Sequence, residues 1–470
     1  MVVDKDVAAT VANYELEALR DAEGQIRAGY VDRVAAAIAA RDAAALKLLV
    51  GDLHEADAGD LIAALDPDLR PKLIKLMGAD FDFTALTEVD DTVREEILDQ
   101  LEPQTVAEGV RELDSDDAVY ILEDLPKGER QEILEQLPLP ERAALARSLQ
   151  YPERSAGRRM QTEFIAVAPE WTVGRAIDYL RETADLPDRF FDLYVVDPAH
   201  RFLGAVSLDR LLRTKRPVPV SELMDEERRR VRATDDLEEV ARLFEHYNLV
   251  AVPVVDADDR LVGVLTVDDV VDVIEAAADE DLKALGGVRD EELSDTVLTI
   301  ARSRFNWLVV NLATAFLASS VLGLFAGELQ KMVALAVLAP IVASQGGNAA
   351  TQTMTVAVRA LATRALSRAN ARRVILRELL VGLVNGLAFA IITGVAAVVW
   401  FKVPDLGVVI GLAMMCNLVA GALGGILIPL LLERVRFDPA VSSGVFVTTV
   451  TDVVGFFSFL GIATLWFGLK

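Results

Sequence analysis

One carboxylate lies far inside an apolar stretch that is otherwise uncharged. Within residues 439–467, Asp452 is the only charged side chain. An ionised group at membrane depth is energetically costly and normally faces a polar cavity, so Asp452 is a candidate ion ligand. The alternative is a neutral acid that bonds to Thr448, Thr449 or Thr451 and holds helices together. The rarity of such residues favours the functional interpretation.

A second polar pattern lies in another apolar stretch, LAPIVASQGGNAATQTMTVAVRALATR. Pro340, Gly346 and Gly347 predict an interrupted helix with free backbone carbonyls. Side-chain oxygens come from Gln345, Asn348, Thr351, Gln352 and Thr353. Such backbone is tolerated inside a membrane only where it lines a cavity or is buried in protein. Close packing through small residues is the alternative, and the presence of Asp452 favours a permeation path.

Acidic residues crowd a third segment, VDDVVDVIEAAADEDLKALGGV. Its carboxylates are Asp268, Asp269, Asp272, Glu275, Asp279, Glu280 and Asp281. Several follow helical spacing, so like charges fall on neighbouring turns and repel one another. A solvated helix face usually mixes charges of both signs, whereas this segment has only Lys283. The pattern therefore favours binding of multivalent cations.

The chain divides by charge into two halves. Residues 302–470 contain 13 of the 47 Lys and Arg residues and 6 of the 73 Asp and Glu residues, which gives a net charge of +7. Residues 1–301 keep 34 basic and 67 acidic residues, a net charge of −33. Such an acidic body lacks the basic footprint that nucleic-acid binding requires. The single cysteine, Cys416, allows no intramolecular disulfide, so we expect the acidic half to face a reducing cytosol.

Five stretches are apolar and long enough to cross about 30 Å of hydrocarbon. They run over residues 305–327, 332–358, 379–401, 406–432 and 439–469. Arginines concentrate before the first stretch, between the second and third, and between the fourth and fifth. The positive-inside rule therefore predicts a multi-pass protein of the plasma (inner) membrane, with its N-terminus cytosolic and its C-terminus outside.

Residues 53–150 carry an internal repeat with a period of twelve. Apolar residues stand in step at Leu53, Leu65, Met77, Val89, Leu101, Leu113, Leu125 and Leu137. Most are followed by a polar or proline-containing cap and a short amphipathic run, as in LEPQTVAEGV. Such short helices cannot bury their apolar faces alone, so we expect them to stack as a superhelix.

Residues 160–275 change to an alternation of strands and helices. The segment LYVVDPAHRFLGAVSLDRLL, which begins at Leu193, returns as VPVVDADDRLVGVLTVDDVV, which begins at Val252. Each copy predicts a strand, an acidic turn, a second strand and a helix, with Ser207 and Thr266 as capping candidates. The pair resembles tandem cystathionine-β-synthase (CBS) domains, which carry a G-h-h-[ST]-x-x-D motif. Gly263, Thr266 and Asp269 keep that motif, whereas the first copy has Arg210 in place of the aspartate.

The CBS resemblance implies a nucleotide site. In CBS domains the aspartate of the motif commonly contacts a nucleotide ribose, so Thr266 and Asp269 become candidate contacts and ATP a candidate ligand. The alternative is that the two residues cap a helix and are otherwise solvated.

The complete order of segments resembles the MgtE family of magnesium channels and transporters. YPERSAGRRMQTEFIAV, PIVASQGGNAATQTMTVAVRAL and FVTTVTDVVGFF carry the resemblance. It implies a multidomain fold that begins with an α-helical superhelix and an α/β CBS-domain pair, and continues with a connecting plug helix and a five-helix transmembrane domain. The expected bounds are 1–157 for the superhelix, 158–220 and 221–274 for the CBS domains, 275–300 for the acidic plug helix and 301–470 for the membrane domain.

The resemblance also implies a homodimer with a central pore lined by the second and fifth spans. Asp452 matches the pore aspartate that holds hydrated magnesium, and Asn348 matches the asparagine of the GGN motif. Gly347 and Thr448 are expected as further pore contacts. Magnesium dehydrates reluctantly and prefers octahedral oxygen, which suits carboxylate and amide groups. The sequence has no His, Cys and Met clusters of the kind that zinc or copper favours.

The family also senses cytosolic magnesium. Positions that match its sensing carboxylates are Asp116, Asp236, Glu238, Asp269, Asp272, Glu280 and Asp281. Tyr120, Asn248 and Ala277 stand where acids are usual, and Arg154 and Arg159 depart from the family junction YPEDSAGRLM. The resemblance implies that magnesium bridges the acidic modules and closes the pore, whereas at low magnesium their repulsion opens it.

Together these features predict a magnesium uptake channel or transporter that is gated by cytosolic magnesium and is not an enzyme. Mg²⁺ would be both the transported ion and the regulator, and the lipid bilayer and a second copy of the chain would be its partners. Two alternatives stay open, a coupled divalent-cation exchanger and a CBS-regulated membrane sensor without transport. An anion channel is disfavoured because the spans offer an aspartate rather than an anion site.

Overall fold

The computed structural model describes residues 19–184, 186–187, 189–288, 291, 296–367 and 369–469, without the side chains of 441–443. The chain divides into two compact units, Met1–Ala276 and Ala277–Lys470.

The described part of the first unit begins with a run of short helices around one apolar core. They are α1 (Ala28–Ala40), α2 (Ala43–Val50), α3 (Glu55–Ala64), α4 (Arg70–Met77), α5 (Asp91–Leu98), α6 (Pro103–Val110), α7 (Ser115–Glu123), α8 (Lys127–Gln136) and α9 (Leu139–Ser148). The starts of α5 to α9 follow one another at the period of the sequence repeat, as predicted. Their spacing leaves Leu101, Leu125 and Leu137 buried between successive helices.

The repeat fails between α4 and α5. Gly78 has a φ of 54° and ends α4, and two 3₁₀ turns, Gly78–Asp80 and Phe83–Leu86, replace the expected helix. Phe81 and Phe83 are buried there and their rings meet edge to face, 5.5 Å apart. Two bulky aromatic side chains thus fill the place that a regular helix would take.

The remainder of the first unit contains two three-stranded sheets with the same topology. Their strands are β1 (Ala166–Val167), β2 (Asp192–Val196), β3 (Phe202–Ser207), β4 (Val231–Arg232), β5 (Ala251–Val255) and β6 (Leu261–Thr266). In each sheet the first strand is parallel to the second, and the second is antiparallel to the third. The offset from β2 to β5 equals that from β3 to β6 at both strand ends, and it is the offset of the sequence repeat, so the predicted repeat is confirmed.

Four helices accompany these sheets: α10 (Ala156–Arg159), α11 (Val173–Glu182), α12 (Leu208–Leu212) and α13 (Leu237–Tyr247). One of the two predicted helix caps is wrong in detail: Ser207 occupies the N-cap position of α12, but its side chain makes no capping hydrogen bond. Thr266 directly precedes the helix that begins at Val267, and its hydroxyl donates to the Asp269 carboxylate, at 2.8 Å.

One continuous helix, α14 (Val267–Leu285), contains both the last CBS helix and most of the acidic segment. The domain boundary expected after residue 274 therefore falls inside a helix. The helix ends at Leu285 rather than near residue 300, and Gly287 follows with a φ of 74°. Of the expected plug segment, residues 289–290 and 292–295 lie outside the described residues.

The second unit contains five helices that are long and apolar enough to cross a membrane, counted over the described residues. They are α15 (Val297–Leu324), α17 (Val333–Ala362), α18 (Ala371–Phe401), α19 (Pro404–Arg434) and α20 (Pro439–Phe467), and the short α16 (Ala326–Lys331) follows α15. The first span therefore ends at Leu324, before its predicted end at residue 327. The number and order of the spans agree with the prediction.

The second span is not interrupted, so that expectation from the sequence is wrong. Pro340 lies inside the continuous helix α17. Proline removes only its own N–H from the helical ladder, and neighbouring helices can compensate for it within a membrane. The first of the two glycines after it serves close packing instead: a Cβ at Gly346 would lie 2.1 Å from the side chain of Asn417 on α19.

The helix α19 lies at the centre of this unit and packs against α17, α18 and α20. Small residues allow the approach. A Cβ at Gly421 would lie 2.7 Å from the Gly346 carbonyl oxygen, and one at Gly425 would lie 2.6 Å from that of Ala350. Backbones that meet this closely compensate for the lack of a hydrophobic driving force between helices in lipid. The resulting core holds α17 and α20, which carry the predicted pore residues.

Candidate functional site

The helix α17 presents a polar face at membrane depth. Its exposed polar residues are Ser344, Asn348, Thr351, Gln352 and Thr355, which recur at spacings of three and four. These positions follow one side of a helix. A polar face cannot remain against hydrocarbon without cost, so it requires water or another polar surface.

Asp452 lies half-buried on α20 and has no hydrogen-bond or ion-pair partner among the described residues. The neighbouring threonines use their hydroxyls elsewhere. Thr448 donates to the carbonyl oxygen of Gly444, at 3.0 Å, and Thr451 donates to that of Thr448, at 2.9 Å. The interpretation of Asp452 as a neutral acid that joins helices through these threonines therefore gains no support.

The structure brings the GGN motif next to the residue before Asp452. A Cβ at Gly347 would lie 3.8 Å from the hydroxyl oxygen of buried Thr451. The carbonyl oxygen of Gly347 also accepts a hydrogen bond from the Thr351 hydroxyl, at 3.0 Å. Asn348 follows on the exposed face of the same helix. The two helices therefore meet at Gly347 and Thr451, which stand next in sequence to Asn348 and Asp452.

The last two residues of α14 contact this pair of helices. Ala284 is 4% exposed and belongs, with Leu285, to an apolar cluster that includes Met354 and Val358 of α17 and Val447 of α20. The acidic helix thus ends in a small apolar contact with the two helices that carry the predicted pore residues.

In the first unit, carboxylates of α7 and α14 lie close together. Asp116 is 8% exposed, and the negative charge of Asp269 acts on its carboxylate across the two helices. Asp117 lies beside it, within the field of Asp114, Glu88, Asp268 and Asp272. We call Asp116, Asp117, Asp268, Asp269 and Asp272 the acidic cluster. Of the predicted sensing residues, the structure brings Asp116, Asp269 and Asp272 together here.

Burial and mutual repulsion raise the pKa values in the acidic cluster. Burial is the largest cause for Asp116, whose pKa is raised well above its usual value, with Asp269 and Asp117 contributing. Burial and neighbouring carboxylates raise the pKa of Asp117 to about 7. Burial raises the pKa of Asp269 to about 7 as well, although the hydrogen bond from Thr266 opposes the shift. Each shift means that negative charge is disfavoured here without a counter-cation.

Sequence reasoning missed Asp117. It stands next to Asp116 in the first turn of α7, and this pair of adjacent acids was the available signal. The described residues contain no group of three or more His, Cys, Asp or Glu side chains that could hold a metal ion directly.

The other two predicted sensing residues of the first unit have different partners. Asp236 is exposed and caps α13, since its carboxylate accepts hydrogen bonds from the backbone N–H of Glu238 and Glu239, at 3.1 and 3.2 Å. Glu238 pairs with Arg154 at 3.0 Å and with Arg242 at 3.4 Å. These acids already have partners in the protein.

The last two predicted sensing residues, Glu280 and Asp281, lie on the part of α14 that belongs to the second unit. Glu280 is exposed and Asp281 is half-buried. Both take part in interactions within the protein.

Arg159, which departs from the family junction, contributes a positive charge to the first unit. The guanidinium of Arg159 lies over the ring of Tyr120 at 4.4 Å, and that of Arg94 lies over the same ring at 4.2 Å. Arg159 also pairs with Glu123. Burial raises the pKa of Asp272, and the charge of Arg159 opposes that rise. An arginine therefore partly compensates the acidic cluster.

Asn248, which stands where the family usually has an acid, has a backbone role. It adopts a φ of 50° and caps the end of α13. Asparagine tolerates this left-handed conformation well, so the residue ends the helix.

Comparison with known proteins identifies these segments. Residues 339–462 match the model "MgtE: Divalent cation transporter", residues 53–154 the MgtE intracellular N domain, and residues 156–216 and 220–276 the CBS domain. A protein of Enterococcus faecalis named magnesium transporter MgtE is 36% identical over 311 residues, 66% of this chain and 69% of that protein. The chain belongs to the MgtE family. The MgtE protein of Thermus thermophilus, named in the same way, is 38% identical over 315 residues, with the same two shares covered.

Two solved structures are similar to about half of this chain. The soluble part of a magnesium transporter shares 27% identity at a TM-score of 0.47, and covers 53% of this chain and 98% of its own. The cytosolic domain of the Mg²⁺ channel MgtE in complex with ATP shares 30% identity at a TM-score of 0.48, and covers 52% and 99%. Membership in the MgtE family makes this chain a multi-pass membrane protein of a divalent-cation transporter family.

Proposed function

We propose that this protein carries Mg²⁺ across the plasma membrane and that Asp452 holds the hydrated ion in the pore. The observation that carries the proposal is Asp452, which has no partner among the described residues and directly follows Thr451, whose hydroxyl lies near Gly347 of the GGN motif. A carboxylate at this depth requires a polar environment, and the exposed polar face of α17 supplies one. The curated relatives named above are magnesium transporters, which agrees with this choice of ion.

The pore would form between two copies of the chain. The polar face of α17 is exposed in a single chain, and a second copy that presents the same face would enclose a polar path. Asn348, Gly347 and Thr448 would contact the water shell of the ion. A hydrated ion needs oxygen groups spaced around its water rather than a compact set of direct ligands.

Cytosolic magnesium would regulate the pore through the acidic residues. Raised pKa values at Asp117 and Asp269 mean that a bound cation relieves repulsion between α7 and α14. Since α14 continues to the apolar contact of Ala284 and Leu285, its position would control the pore. Asp236, Glu238, Glu280 and Asp281 are proposed as weaker contributors because each has partners within the protein.

Several finer points stay predictions. They are the cytosolic N-terminus and external C-terminus, the domain bounds at residues 157, 220, 274 and 300, and the homodimer. ATP binding at Thr266 and Asp269 is a further prediction, for which the Thr266–Asp269 hydrogen bond would have to rearrange or be shared with the ribose.

Magnesium influx into liposomes that contain the full chain tests the proposal, with an entrapped fluorescent indicator as the readout. We expect influx without a proton or sodium gradient. Asp452→Asn should lower the initial rate about a hundredfold, the effect of losing a charged contact of about 3 kcal/mol. Asp405→Asn, at the exposed start of α19, is the matched control and should leave the rate unchanged.

Each alternative has its own outcome in that assay. No influx in the parent protein would favour a sensor without transport. Influx that requires an opposing proton or sodium gradient would favour a coupled exchanger. Equal rates for the parent and Asp452→Asn would exclude Asp452 as the pore ligand.

A further inference from the structure

One amide lies at the centre of the membrane unit. Asn417 is 0% exposed and stands near the middle of α19, which begins at Pro404 and ends at Arg434. Neither the pore residues nor the acidic cluster explains why a polar side chain is buried here. An amide at membrane depth is costly unless it bonds to a neighbour, so its contacts indicate its role.

The amide contacts the two helices that carry the predicted pore residues. Its Nδ2 donates a hydrogen bond of 2.7 Å to the carbonyl oxygen of Val342 on α17. Its Oδ1 is buried and meets no hydrogen-bond donor among the described residues. The acceptor oxygen of the side chain is therefore left unused, which is unfavourable for a group that served packing alone.

Glycines make room for the amide on both sides. A Cβ at Gly346 of α17 would lie 2.1 Å from Nδ2 and 2.5 Å from Cγ of Asn417. A Cβ at Gly455 of α20 would lie 2.7 Å from Nδ2. Real Cβ atoms do not approach other atoms this closely, so the amide fits only because both positions are glycine. It is wedged between α17 and α20.

These two glycines stand next to the predicted pore residues. Gly346 immediately precedes Gly347, and Gly455 follows Asp452 within one helical turn. Any change in the separation or rotation of α17 and α20 at the amide is therefore transmitted to the GGN motif and to Asp452.

We propose that Asn417 is a positioning residue for ion permeation. Its amide bonds to α17, separates α17 from α20, and so fixes the oxygens of the GGN motif relative to Asp452. Asn417 itself does not contact the ion. This inference rests on the proposed function, since it assigns the amide a role in the transport of Mg²⁺.

The test uses the full chain in liposomes, with magnesium influx measured over a range of concentrations and the melting temperature measured in detergent. Asn417→Leu keeps the branched shape and the number of side-chain heavy atoms but removes the hydrogen bond, and Asn417→Ala removes both the branch and the hydrogen bond. We expect each variant to raise the half-saturating magnesium concentration about tenfold, the effect of one interhelical hydrogen bond at its upper measured strength. Fewer folded molecules would lower only the maximal rate, so this readout separates positioning from misfolding.

A double variant separates the hydrogen bond from the packing. Gly346→Ala alone should lower the melting temperature, because its methyl group overlaps the amide of Asn417. Asn417→Ala removes the overlapping atoms, so Gly346→Ala with Asn417→Ala should regain the melting temperature of Asn417→Ala alone or exceed it. The half-saturating concentration should stay about tenfold raised in the double variant. Gly461→Ala on α20, where a Cβ meets nothing within 4 Å, is the control and should behave as the parent.

Two results would overturn the inference. One is an unchanged half-saturating concentration in both Asn417→Leu and Asn417→Ala. The other is a double variant that regains the parental concentration dependence, which would make the amide a spacer only. Both leave the proposed function intact, because that function fails separately if influx in the parent is absent or insensitive to Asp452→Asn.

Discussion

The acidic cluster of the first unit and the pore residues of the second use carboxylates in opposite surroundings. In the acidic cluster, Asp116, Asp117 and Asp269 lie near one another and burial and repulsion raise their pKa values. On α20, Asp452 has no charged residue near it in sequence, and threonines precede it at Thr448, Thr449 and Thr451.

The difference suits two different tasks. Several crowded carboxylates bind a cation more strongly than one does, and their occupancy follows the ion concentration. A single carboxylate among neutral oxygens binds weakly enough to release the ion, as conduction requires. The protein would thus detect magnesium where negative charge is concentrated and pass it where negative charge is sparse.

Of the variants considered in this comparison, those that neutralise the acidic cluster should have the largest effect, a loss of inhibition by magnesium. In the triple variant Asp116→Asn, Asp269→Asn and Asp272→Asn, repulsion no longer depends on magnesium, so the pore should lose its inhibition by millimolar magnesium. We expect influx at that concentration to exceed that of the parent about tenfold, as measured in the liposome assay.

The control for this variant changes the same number of charges at exposed positions. Asp66→Asn, Asp68→Asn and Glu129→Gln lie in the helical region of the first unit and should keep parental inhibition by magnesium. If both triple variants behave alike, net charge rather than the acidic cluster controls the pore.

The acidic cluster should also make the first unit pH-dependent. Asp117 and Asp269 have pKa values of about 7 in the folded protein, against about 4 in an unfolded chain. The folded state therefore binds more protons between these values, and stability should fall as the pH rises through about 7. Without divalent cations, we expect the free energy of opening of α7 and of the first turns of α14 to decrease by about 2 kcal/mol from pH 6 to pH 8.

Hydrogen exchange of the full chain in detergent, corrected for the intrinsic effect of pH, measures this change. Magnesium should flatten the pH dependence, and Asp117→Asn with Asp269→Asn should reduce it, with Asp116 accounting for the remainder. Stability that rises with pH would contradict the desolvated state of these carboxylates.

Removing the contact of Tyr120 with two arginines should have a moderate effect on the stability of the first unit. Tyr120→Leu removes the ring that lies between the guanidinium groups of Arg94 and Arg159, and should lower the free energy of unfolding of the first unit by about 1–2 kcal/mol. Tyr247→Leu is the matched control, since Arg229 contacts that ring at an exposed site and the loss should be smaller. Chemical denaturation measures both losses, and equal values would mean that burial adds nothing to the contact.

The smallest effect is expected at the exposed pair of Arg154 and Glu238. Their charged atoms are 3.0 Å apart, but the Arg154 side chain is 63% exposed. Arg154→Ala should change the free energy of unfolding by no more than about 0.5 kcal/mol, because water and salt screen such pairs. A larger loss in chemical denaturation would show that this junction carries more of the stability than its exposure suggests.

Patterns that repeat within the chain were predicted well from the sequence. The constant offset between the two CBS copies places β5 and β6 at the residues that β2 and β3 imply, because the same apolar runs recur at that offset and are buried in both copies. The five spans follow from apolar length alone. Residues 78–90 could not be predicted because Phe81 and Phe83 replace a helix through contacts with distant residues.

The candidate sites were predicted only in part. Asp452 stands out as a charge in an apolar stretch, whereas Asn417 carries no charge and its burial depends on glycines in two other helices. Pro340 misled the prediction because helix-breaking rules from water are weaker inside a helix bundle. Asp116 and Asp269 are far apart in sequence, so their proximity required the fold.

The spacing of the helices α5 to α9 bears on which changes of chain length this region can accept during evolution. Each helix occupies one period of the repeat, and buried leucines recur in phase with it. Removing or adding one whole period keeps every later leucine in phase, whereas a change of any other length turns buried positions outward. The period that begins at Lys127 carries none of the carboxylates of the acidic cluster, so related chains that differ in length here should differ by steps of twelve.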